Sequence, residues 1–119
     1  MKVLLRFKDT YSLTKYLKEE LDKLREAKQR LEEEVRRNSF VDIVEIKDND
    51  LIIRRDEISI LNSVLERIND KINIINSMLD ELQRELGNTN YMGLVLLELD
   101  NGIPQRVLLS QPLGVGEHL

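Results

Sequence analysis

Residues 56–86 read DEISILNSVLERINDKINIINSMLDELQREL, and the spacing of their apolar side chains decides the architecture. Ile58, Leu61, Leu65, Ile68, Ile72, Ile75, Leu79, Leu82 and Leu86 follow one another at alternating steps of three and four. An α-helix turns once every ~3.6 residues, so these positions line up as the a/d seam of about four heptads. Asp56 can cap the start with Glu57 in the first turn, and Gly87-Asn88 supplies a left-handed stop. The pattern predicts a helix about 45 Å long, at ~1.5 Å of rise per residue.

A second seam precedes it. Leu17, Leu21, Leu24, Lys28, Leu31 and Val35 also alternate by four and three, with Lys28 at an apolar position where its stem can pack while its ammonium reaches water. Asp9, Thr10 or Ser12 can cap this helix, Arg36-Arg37 suits the negative end of its dipole, and Asn38 can take the left-handed exit. Glu19 with Lys23, Glu26 with Arg30, Glu32 with Arg36 and Glu33 with Arg37 are i,i+4 pairs that mark a solvated outer face.

Between the helices, Phe40–Ile46 (FVDIVEI) and Leu51–Arg55 (LIIRR) are rich in β-branched residues and flank the turn-forming Lys47-Asp48-Asn49-Asp50. They are expected to form a β-hairpin. Near the C-terminus, Leu94–Leu99 and Arg106–Leu109 flank Asn101-Gly102, a strong two-residue hairpin signal, with Pro104 at a strand entry or edge. Val3–Phe7 is a further strand.

The expected fold is therefore α+β: a long antiparallel helical hairpin, a coiled-coil shaft, with a β-hairpin at its tip. At the opposite end, the N-terminal strand and the C-terminal β-hairpin form a small antiparallel sheet. Residues 1–111 are expected to make a single elongated domain and residues 112–119 a flexible tail.

Composition excludes several function classes. The chain has 119 residues, no Cys, and a net charge of −4, which removes disulfides, thiolate metal sites and thiol catalysis, and argues against general attraction to nucleic acid or anionic membrane. No apolar run approaches the ~20 residues that span a bilayer. The N-terminal MKVLLRFK is too short and too charged for a signal peptide. A cytoplasmic location is the expectation.

Catalytic chemistry finds little to work with. His118 is the single histidine and lies in the glycine-containing tail, so Ser and Thr lack a base in any ordered element. Gly114-Val115-Gly116 is not a phosphate loop, since neither a helix nor a lysine follows it. Asp48-Asn49-Asp50 opens like a calcium loop, but Ile53 and Ser59 stand where that loop needs Gly and Glu. The expectation is a protein that is not an enzyme and takes no cofactor or metal.

Two surface features suggest contacts. Helix two carries a second apolar line, Ile60, Val64, Ile74 and Met78, interrupted by Arg67 and Lys71. A helix apolar over so wide an arc calls for a further neighbour, and a second copy packed helix two against helix two makes a homodimer or higher homo-oligomer. Arg36, Arg37, Arg54 and Arg55 should gather around the central hairpin, where a polyanion or a protein partner can reach them. The acidic residues beside them, Glu32, Glu33, Glu34, Asp56 and Glu57, favour capping and local pairing over nucleic acid.

The succession of heptad helix, short hairpin over Val41–Arg55, and heptad helix resembles the β-type subunit of prefoldin across residues 12–86. That resemblance implies a holdase whose hairpins assemble a β-barrel body and whose helix ends grip unfolded protein. The strands at residues 1–7 and 94–109 depart from it, since they fall where that family leaves helix ends free. The leading expectation is a non-enzymatic assembly or adaptor protein that self-associates through its helices and binds an unknown protein partner through its β units. A prefoldin-like chaperone stands second, and a nucleic-acid-associated protein using the tip arginines third.

Overall fold

The computed structural model of the chain describes residues 1–39 and 48–110. Five elements follow in order: β1 (Lys2–Phe7), α1 (Thr10–Ser39), α2 (Asp48–Leu86), β2 (Leu94–Asp100) and β3 (Ile103–Ser110). The fold is α+β, two helices with a three-stranded antiparallel sheet of order β1-β2-β3. The described residues form two compact units, one of residues 1–21 and 73–110, the other of residues 22–39 and 48–72. No helix among the described residues is long and apolar enough to cross a membrane.

In the first unit, the alternation of each strand sorts its side chains between two faces. Pairing sets Val3 opposite Leu99, Leu5 opposite Leu97 and Phe7 opposite Val95, while Leu99, Leu97 and Val95 oppose Pro104, Val107 and Leu109 on β3. These three rows make a wholly apolar face. Val95 and Leu97 are buried with Leu13, Leu17 and Leu21 of α1 and Ile75 and Met78 of α2. The Phe7 and Tyr16 rings lie 5.3 Å apart, tying β1 to α1.

The hairpin closes as its sequence predicts. Asn101 and Gly102 take φ of +52° and +79°, the left-handed pair whose twist suits a two-residue turn. Gly93 is needed for a different reason: a Cβ there would stand 2.7 Å from the Tyr91 ring and 2.8 Å from the Ser110 carbonyl oxygen.

A polar cluster decides where β1 goes. Asp9 accepts from the Ser12 N–H at 2.8 Å and from Asn90 Nδ2 at 3.3 Å. Thr10 Oγ1 accepts from the Tyr91 N–H at 2.8 Å, and the Thr10 N–H donates to the Tyr91 carbonyl at 3.0 Å. The start of α1 is thereby capped and stitched to the segment entering β2. That stitch sets the end of β1 beside the start of β2, and β3 remains as the opposite edge.

In the second unit the seam residues Leu24, Leu31 and Val35 of α1 and Leu61, Leu65 and Ile68 of α2 are half-buried, as is Lys28. On α1 the Glu26–Arg30 pair forms at 3.5 Å, while Arg37 meets Glu34 at 3.8 Å.

One expectation is corrected. Leu51–Arg55 is not a strand: α2 begins at Asp48 and runs through it without a break. Periodicity within so short an apolar run cannot separate strand from helix. The decisive pattern lies outside the run, because Leu51 stands seven residues before Ile58 and extends the heptad of Leu65, Ile72, Leu79 and Leu86. Continuing a helix adds one hydrogen bond per residue, which outweighs a β-branched penalty of a few tenths of a kcal/mol. The partner strand expected at Phe40–Ile46 and the tail at 112–119 lie outside the described residues.

Candidate functional site

The first unit carries an open groove of about 380 Å³ between α2 and β3. Its floor is apolar, formed by Met78, Leu82 and Leu86 of α2 and by Val107 and Leu109 of β3. The heptad spacing puts Leu82 and Leu86 on the side of α2 that faces the sheet, and strand alternation turns Val107 and Leu109 toward the helix. Leu109 remains 38% exposed, since among the described residues no strand lies beyond β3. Among the described residues the outward backbone groups of β3 therefore have no partner strand, and they run beside an apolar channel.

Only part of that edge is open to pairing. Glu98 opposes Arg106 and Leu99 opposes Pro104, which leaves Gln105 as a bulge. Proline has no N–H to give, and a bulge bends its strand away from a further partner. Residues 106–110 are the usable stretch.

The α2 rim is acidic, while Arg106 lines the groove from β3 and Arg84 lies in the last turn of α2. Glu81 and Glu85 line the α2 rim and stand one helical turn apart, where like charges repel by ~0.2–0.5 kcal/mol. Both are exposed, and neither is paired with another described residue. The C-terminal end of α2 adds the negative pole of its dipole beside Leu86. Arg106, which lines the same groove, donates its Nε to Glu98 Oε2, to which it lies opposite in the ladder.

The residues singled out from sequence fall in different places. Met78 is only 9% exposed and is spent within the first unit, and Ile74 is half-buried there. Ile60, at 62% exposure, and the half-buried Val64 belong to the second unit. Arg36 and Arg37 are exposed at the end of α1. Arg54 and Arg55 lie within α2, not on a hairpin strand. The groove escaped the sequence reading because its two walls are some twenty residues apart in the chain. The exposed Glu81/Glu85 spacing beside an apolar seam was its one legible trace.

Among the described residues no group of three or more His, Cys, Asp or Glu side chains is placed to hold a metal ion. No protein-family model, curated protein or solved structure matches the chain. The hairpin that carried the resemblance to prefoldin loses its second strand, since residues 48–55 are helical.

Proposed function

We infer that the protein is a non-enzymatic assembly adaptor, which takes up an extended segment of a partner protein as a fourth strand alongside β3. The observation that carries this reading is the coincidence of a free strand edge with an apolar groove. Main-chain hydrogen bonds to residues 106–110 supply affinity, and alternate side chains of the added strand enter the groove and supply selectivity. Self-association belongs to the same reading and rests on Ile60 and Val64 of the second unit, the part of the second apolar line that the first unit does not absorb.

Leu109→Glu tests the groove, because it places a charge on the floor at a position exposed enough to tolerate one. A partner captured from the native cell by the wild-type chain should slow amide exchange at residues 106–110 and be lost with this variant. Capture that survives Leu109→Glu, with exchange at β3 unchanged, would remove the reading.

A further inference from the structure

We propose that the segment received by the α2–β3 groove is a basic one, with Lys or Arg alternating with apolar residues along an extended stretch of about five residues, the length left open after Pro104 and the Gln105 bulge. The inference rests on the strand-addition reading and adds the chemistry of the partner.

A strand added to β3 turns every second side chain toward α2. There it meets Val107, Leu109, Leu82 and Leu86 below and Glu81 and Glu85 at the rim. Lysine and arginine match such a channel, because their aliphatic stems cover apolar surface while the charged head reaches outward. The two carboxylates are unmatched among the described residues, and the negative end of α2 lies at the same rim. An acidic segment would face repulsion from all three. A wholly apolar segment would leave the carboxylates in water and gain nothing from them.

The same rim argues against a second copy of this chain as the occupant. Two-fold pairing of β3 with β3 would bring two α2 rims face to face across the axis, with four carboxylates set against two Arg106 side chains that Glu98 already engages. It would also present Val107 and Leu109 to the groove, which answer the floor but not the rim.

The test uses the full chain as bait for a phage-displayed library of random ten-residue peptides. Selected peptides should alternate Lys or Arg with apolar residues, and amide exchange at residues 106–110 should slow when a synthetic copy of a selected peptide binds. Glu81→Gln with Glu85→Gln should weaken that peptide by about tenfold, the sum of two partly exposed ion pairs. Both positions are exposed, so the variant should melt with the wild type. Selection of peptides that slow exchange at β3 but carry no basic preference would overturn this inference and leave strand addition standing. Selection of peptides that leave β3 exchange untouched, or no selection at all, would overturn strand addition and the inference with it.

Discussion

Arg106 lies directly opposite Glu98 in the β2–β3 ladder and donates its Nε to the Glu98 carboxylate. Glu98 is only 7% exposed, although it sits on the sheet face away from the helices. Lys2 approaches from the β1 side, its Nζ 3.8 Å from the other carboxylate oxygen. The two cations are unequal in value. Lys2 is well exposed and makes a long contact, whereas Arg106 satisfies a largely buried charge. Arg106→Leu should cost about 1–3 kcal/mol, because it leaves that carboxylate short of a partner. Lys2→Ala should cost no more than ~1 kcal/mol. Urea denaturation checks both, and equal losses would show Glu98 to be solvated.

Asp9 should give the protein an acid-sensitive step. Hydrogen bonds from Ser12, through its side chain and then its backbone, hold the carboxyl below its ordinary pKa of 3.8, with Asn90 and Lys8 acting in the same direction against burial. The folded chain thus binds this proton less readily than the unfolded chain. The contribution is complete above about pH 4 and is lost as pH falls through the folded pKa. Thermal melts across the acid range should show Tm dropping there, and Asp9→Asn, which keeps a capping oxygen, should flatten that part of the curve.

Core and surface positions of α2 should separate cleanly. Ile75 is fully buried and Asn73, two residues before it, is exposed. Ile75→Ala should cost about 2–5 kcal/mol through lost burial and the cavity left behind. Asn73→Ala should stay within ~0.5 kcal/mol. Chemical denaturation measures the difference, and similar midpoints would contradict the packing of α2 on the sheet.

Oligomeric state should respond to the second unit. Ile60→Glu with Val64→Glu should lower the mass found by sedimentation equilibrium from about twice the chain mass toward 14.0 kDa. Met78→Glu does not probe the interface, because Met78 is buried within the first unit. It would put a charge into the first unit's core and destabilise the fold instead. A wild-type chain that sediments at 14.0 kDa would remove self-association from the proposed function.

The beginning of α2 can be checked without any variant. Carbon chemical shifts of residues 48–58 should be continuously helical, joined to those of residue 59 onward. A run of extended-type shifts at Leu51–Arg55 would restore the strand that the structure replaces with helix.

Much of this was legible in the sequence because it depends on local spacing. The three-four alternation from Ile58 to Leu86 dictates a helix whatever surrounds it, Asn101-Gly102 dictates a tight hairpin because few residue pairs tolerate positive φ, and Gly87 stops α2 with φ of +58°. At Leu51–Arg55 the β-branched content favours a strand, but the segment is helical. The heptad step from Leu51 to Ile58 is the stronger signal.

Only tertiary structure could decide the rest. A hairpin has two outer edges, and nothing in Val3–Phe7 says which one β1 will join. The hydrogen bonds of Asp9 and Thr10 with Asn90 and Tyr91 place β1 beside β2, and so leave β3 open along α2. Likewise, Met78 and Ile60 look alike on a helical wheel, yet one is buried against the sheet and the other faces solvent. The sequence by itself determined the elements, since helix period and turn geometry are properties of neighbouring residues. Which edge stayed free, and which apolar residues stayed exposed beside it, were decided by contacts between segments some eighty residues apart, whose energies no local pattern records.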